Sequence, residues 1–128
     1  MLLALTGATG FIGQYLLREL PKRSYRLRVL LRQPGSVPVQ CASAVIGDLA
    51  RPLNMSAALE GVDAVIHSAG FAPGMSGVPE DDYRLLNTEA TIGLARAARR
   101  AGAKRFVFLS SIRVIRSWPL WNASTCTR

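Results

Sequence analysis

Short, mostly apolar runs alternate along this chain with longer stretches in which apolar residues recur every three or four positions. Leu2 to Leu5 is the first run; it stops at Thr6-Gly7, and an amphipathic segment from Phe11 to Leu20 follows a Gly-rich turn. Pro21 ends that periodicity, and Lys22-Arg23-Ser24 makes a polar turn. Arg26 to Leu31 reads as a second strand, and a loop rich in Pro, Gly and Ser follows it. Ala44-Val45-Ile46 is a short third strand, and Leu53 to Leu59 has helical spacing closed by Gly61. Ala64-Val65-Ile66 is a fourth strand, bounded by the small residues Ser68-Ala69-Gly70. The pattern then predicts a loop over 71–78, the longest helix from Glu80 to Ala101, and a fifth strand from Phe106 to Leu109.

Short apolar strands alternating with helices predict an α/β protein with a parallel sheet covered on both faces. Right-handed crossovers and a phosphate loop after the first strand favour the doubly wound order 3-2-1-4-5. In such a sheet the Gly loop, Arg32, Asp48, the turn Ser68–Gly70 and Ser110-Ser111 all fall at carboxyl ends of strands, where ligands bind. The loop's spacing is Gly7-x-x-Gly10-x-x-Gly13. Gly7 suits a tight turn, Gly10 a close approach of backbone to pyrophosphate, and Gly13 close packing of helix on strand. Asp48 could either contact a ligand or cap the turn that follows it.

The strand end that would carry an Asp or Glu on a ribose 2′-hydroxyl instead carries Arg32, with no carboxylate nearby. A guanidinium matches a 2′-phosphate bidentately, so NADP(H) is favoured over NAD(H). The net charge of +8 also raises a nucleic-acid reading. Scattered arginines, no interleaved aromatics and a long helix whose charges complement its dipole argue against that partner. No apolar run approaches the ~20 residues of a membrane helix. Cys41 and Cys126 have no metal or redox spacing, and a strand beginning at Leu2 leaves no room for a leader, so the cytoplasm is the expected compartment.

Five blocks in order resemble the extended short-chain dehydrogenase/reductases, the NAD-dependent epimerase/dehydratase-like proteins. They are Thr6-Gly-Ala-Thr-Gly-Phe-Ile-Gly13, Gly47-Asp-Leu49, Gly61-Val-Asp-Ala-Val-Ile-His67-Ser-Ala69, Asn87-Thr88 and Arg105-Phe-Val-Phe-Leu-Ser-Ser111. The resemblance implies a Rossmann-type fold with cofactor contacts at Gly7, Thr9, Gly10, Phe11, Ile12 and Gly13. It sets Asp48 on the adenine amino group, Leu49 on the base, and Ser68, Ala69 and Gly70 on the ribose and phosphate side. Asn87 would hold the active-site end of the cofactor, while His67 is read as a hydrogen-bonded structural histidine. Ser111 would be the catalytic serine that bonds the reacting oxygen. The activity implied is hydride transfer at a carbinol or carbonyl carbon of a nucleotide sugar or related small molecule.

The family's serine works beside a Tyr-x-x-x-Lys pair, in which the lysine lowers the tyrosine's pKa. Tyr15, Tyr25 and Tyr83 have no such lysine, and no tyrosine follows Ser111. Residues 1–114 are therefore expected to form the dinucleotide-binding domain, with the sheet truncated after the fifth strand. Residues 115–128 hold both tryptophans without periodicity and are expected to be an irregular tail from truncation or a frame shift. Binding without turnover is the expected behaviour, with self-association through the open edge of the fifth strand. A non-catalytic regulatory or scaffolding module that binds a dinucleotide is the alternative.

Overall fold

The computed structural model describes residues 1–35, 37, 41–70 and 79–109. Five strands, β1 (Leu2–Thr6), β2 (Arg26–Leu31), β3 (Ala42–Val45), β4 (Ala64–His67) and β5 (Arg105–Phe108), form one sheet in the order β3-β2-β1-β4-β5. Every pairing is parallel. The doubly wound order expected from the alternation of strands and helices is the order found.

Side-chain alternation along the central strands divides the core in two. Leu3 and Leu5 of β1, with Leu27, Val29 and Leu31 of β2, pack with Leu17 of the helix α1 (Phe11–Lys22). Ala4, Leu30 and Val65 point to the other face. There they meet Ala58 of α2 (Met55–Ala58) and Leu94 and Ala98 of α4 (Ala90–Arg100). A period of two on the strands against a period near 3.6 on the helices thus builds both layers.

Several element ends differ from the sequence expectation. α1 runs through Pro21 to Lys22 rather than stopping before the proline. The proline's missing donor falls in the last turn, where the helix is already changing its bonding. Ser24 N–H donates to the Pro21 carbonyl at 3.0 Å and Tyr25 N–H to the Leu20 carbonyl at 3.2 Å, with Ser24 left-handed at φ 65°. This is a Schellman closure with serine where glycine is usual. The same closure ends α4, with Gly102 at φ 88° in the left-handed position. α2 is a single turn, shorter than the apolar spacing of Leu53 to Leu59 predicts, because Leu53 and Asn54 form the turn that leads into it. β3 lies two residues earlier than expected at its start, and Ile46 ends the strand's hydrogen bonding by donating to the Leu31 carbonyl at 2.8 Å. The long helix is not uniform: α3 (Glu80–Arg84) and α4 are joined by a π-helical turn over Leu85–Glu89. No helix among the described residues is long and apolar enough to cross a membrane.

Candidate functional site

The carboxyl ends of β1, β2 and β4, and the chain just beyond β3, open into a cleft of about 660 Å³. Its floor is the glycine loop. Gly7 is left-handed at φ 71°, and a Cβ there would sit 2.6 Å from the Ala69 nitrogen. Gly10 N–H closes the turn on the Gly7 carbonyl at 3.1 Å. Gly10, the last loop residue lining the cleft, precedes α1 and offers no side-chain cap to the helix's first amides. Gly13 lies behind the loop: a Cβ there would meet the Gly7 carbonyl oxygen at 2.0 Å. Helix α1 and the loop leaving β1 are therefore in contact through backbone, which only glycine permits.

The walls come from the other strand ends. Arg32 stands exposed just past β2, and no carboxylate pairs with it among the described residues. Asp48 follows the left-handed Gly47, and its Oδ1 accepts the Ala50 N–H at 2.9 Å. It therefore caps its own turn, and its second oxygen has no partner among the described residues. Leu49, half-buried beside it, supplies an apolar surface suited to a flat ring. Ser68, Ala69 and Gly70 line the opposite wall. Ser68 Oγ donates to the Thr6 carbonyl at 2.7 Å, which holds the β4 exit against the glycine loop.

Nine of the residues singled out from sequence line this one cleft: Gly7, Thr9, Gly10, Arg32, Asp48, Leu49, Ser68, Ala69 and Gly70. Four do not. Phe11 and Ile12 sit on the exposed side of the first turn of α1, Phe11 with 94% of its surface open. Gly13 packs behind the loop. Asn87 lies in the π turn, with its Oδ1 3.0 Å from where a Cβ on Gly70 would be, so it backs the wall rather than forming it. Ser111 lies outside the described residues. The cleft also includes Ala8, Gln33, Asp82 and Leu85, which the sequence reading did not single out. Asp82 and Leu85 are three apart on consecutive helical turns, so helical spacing measured from the loop would have placed them on one face.

His67 is fully buried, and burial pushes its pKa below the ordinary 6.5. Its Nδ1 lies 2.7 Å from Thr6 Oγ1 and its Nε2 2.8 Å from Thr91 Oγ1. Both nitrogens are satisfied, so the ring is a neutral element of the fold and not a solvent-facing acid or base. Burial likewise pushes the Cys41 thiol up, away from thiolate chemistry.

A cleft with a backbone-lined anion floor, an apolar ledge and a guanidinium at one end is chemically matched to a dinucleotide. Comparison with known proteins agrees. Residues 7–126 match the model of a family described as NAD(P)H-binding. A 3-beta-hydroxysteroid dehydrogenase of Mycolicibacterium neoaurum is 31% identical over 86% of this chain and 32% of its own length. A UDP-glucose 4-epimerase of Vibrio cholerae is 34% identical over 86% of this chain and 34% of its own length. Among solved structures, a short-chain dehydrogenase/reductase superfamily protein from Agrobacterium tumefaciens with bound NAD superposes with a TM-score of 0.73 at 32% identity. That match covers 89% of this chain and 34% of the other. The chain thus spans about a third of the length of the relatives it matches.

Proposed function

The chain belongs to the NAD(P)H-binding family, and on that premise we propose that its cleft takes NADP(H) in preference to NAD(H). The observation that carries the reading is Arg32, exposed at the cleft's β2 end with no carboxylate pairing it among the described residues. A 2′-phosphate there would gain a charge-assisted, bidentate partner, whereas NAD(H) gains nothing from a cation and lacks the acid its 2′-hydroxyl prefers. In this reading the pyrophosphate rests on Gly7–Gly10, with Thr9, Phe11, Ile12 and Gly13 shaping the loop. The adenine lies on Leu49 with its amino group toward Asp48. The nicotinamide end runs past Ser68, Ala69 and Gly70 toward Asn87. Titration with NADPH and NADH tests it: a Kd at least tenfold lower for NADPH is expected, and equal affinities would refute the assignment of Arg32.

In a full-length protein of this type the cleft would serve hydride transfer at a carbinol or carbonyl carbon, with Ser111 hydrogen-bonded to the reacting oxygen. Replacing Ser111 by Ala in that protein should lower kcat and leave NADPH affinity unchanged; loss of affinity instead would remove it from the catalytic role. Residues 1–114 are the binding unit in this proposal, and limited proteolysis beyond residue 114 should leave cofactor affinity intact. We place the protein in the cytoplasm, which cell fractionation checks. The β5 edge, with Val107 and Phe108 each 47% exposed, is the proposed surface of self-association. Light scattering showing a monomer at high concentration would count against that surface.

A further inference from the structure

Thr6, His67, Thr91 and Asn87 come from β1, β4, α4 and the π turn, and they form one line of hydrogen bonds whose direction can be assigned. Thr91 Oγ1 donates to the main-chain carbonyl of Asn87, four residues earlier, at 3.0 Å, so its only proton is engaged. It must then accept from His67 Nε2–H, 2.8 Å away. A neutral ring protonated at Nε2 presents Nδ1 as an acceptor, and Thr6 Oγ1 donates to it at 2.7 Å. The Ala69 N–H completes the line by donating to Thr6 Oγ1 at 3.3 Å. The ring meets Thr6 from β1, Thr91 from α4, and the phenyl rings of Phe106 and Phe108 from β5 at centroid distances of 6.1 and 5.6 Å. None of these partners carries a charge or titrates in the physiological range.

We propose that His67, as the neutral Nε2–H tautomer, is a positioning residue that ties the glycine loop to Asn87 and so shapes the nicotinamide-side half of the cleft. The inference rests on the dinucleotide reading of that cleft. Both ends of the line touch its walls. Thr6 roots the glycine loop, and Ala69 and Gly70 line the cleft. Asn87 Oδ1 lies 3.0 Å from the point a Gly70 Cβ would occupy, so a shift of the π turn moves the wall. A second ring proton would reverse the line at Nδ1. Thr6 Oγ1 would have to accept there, and its own proton would be left without an acceptor at a residue only 1% exposed. The Arg32 and Asp48 end of the cleft has no part in the line.

The chain has one histidine, so imidazole ¹⁵N NMR reads its tautomer without assignment. Nε2 protonated and Nδ1 unprotonated at pH 7.5 is the expected result. NADPH affinity should fall about tenfold across the interval in which the ring titrates, as the loss of one buried hydrogen bond predicts. 2′-Phospho-ADP-ribose carries the same 2′-phosphate and the same pyrophosphate diester but no nicotinamide, so the ratio of the two affinities isolates the ring from the 2′-phosphate's own titration. Thr91→Val should reproduce the loss at pH 7.5 for NADPH while sparing 2′-phospho-ADP-ribose, and Thr91→Ser should restore it. An Nδ1–H ring, a constant affinity ratio across the titration, or equal losses for both ligands would overturn the positioning role. Wild-type protein that binds neither ligand overturns the dinucleotide reading and this role together. If Thr91→Val does not fold, the wild-type pH profile still decides.

Discussion

At the glycine end of the cleft the backbone itself forms the wall, whereas at the β2 and β3 ends the wall is made of exposed side chains. Gly7 and Gly13 have no room for a single methyl group, because carbonyls, amides and Cα atoms of neighbouring segments lie within 3 Å of where it would be. Arg32 and Asp48 are exposed, and the Asp48 carboxylate bonds within its own turn. The glycine end is therefore fixed by the fold, and the Arg32 end can change without disturbing it. In the proposed reading, holding a dinucleotide and choosing between two dinucleotides are separable properties of one site.

The harshest way to break that contrast is Gly13→Ala. Its methyl would overlap the Gly7 carbonyl, and helix and strand would have to separate. A destabilisation of about 3 kcal/mol or more is expected, together with loss of NADPH binding. Urea denaturation and a binding titration read both effects, and unchanged stability would show that the helix can move aside freely. A milder perturbation acts through His67. Its folded-state pKa is depressed, so the unfolded chain binds the extra proton first as pH falls. The ring's contribution to stability should therefore be complete above pH 6.5 and decline as pH drops below it toward the folded-state pKa. Urea midpoints at successive pH values check the sign; stability rising on acidification through that window would contradict it.

Arg32→Asp addresses the other end. It should reverse the NADPH preference by at least tenfold while leaving stability within about 0.5 kcal/mol, as expected of an exposed position. A variant that loses affinity for both cofactors equally would erase the distinction between the two ends. The smallest effect on the cleft is expected of Val107→Lys on β5. A lysine there should reduce self-association in light scattering and leave NADPH affinity unchanged.

Much of this architecture is legible in the residues. Leu2–Leu5, Val29–Leu31 and Ala64–Ile66 are apolar on both sides because both faces of a parallel sheet are covered, and the glycine spacing marks the place where the helix must touch the loop leaving β1. What escaped the sequence is the part decided by long-range geometry. Nothing local announces the π turn at Leu85–Glu89, because its residues have ordinary helical spacing. Spacing sets Asp82 and Leu85 on one helical face, yet only the packing of α3 brings that face to the cleft. Pro21 reads as a stop, but a helix already turning into a Schellman closure can carry it. Phe11 and Ile12 belong to the loop motif by position, while the rotation of α1 turns them outward.

The central pairing of β1 with β4 also has a consequence in time. Thr6 and His67, whose side chains meet at 2.7 Å, are separated by 61 residues of chain. β1 can pair β2 through the short crossover of α1, so a β1-α1-β2 unit is available early. The ring that locks the glycine loop arrives only with β4, after a much larger loop has closed. In chain order, then, the residues of the cleft's glycine floor precede by about sixty positions the ring that the fold sets against Thr6.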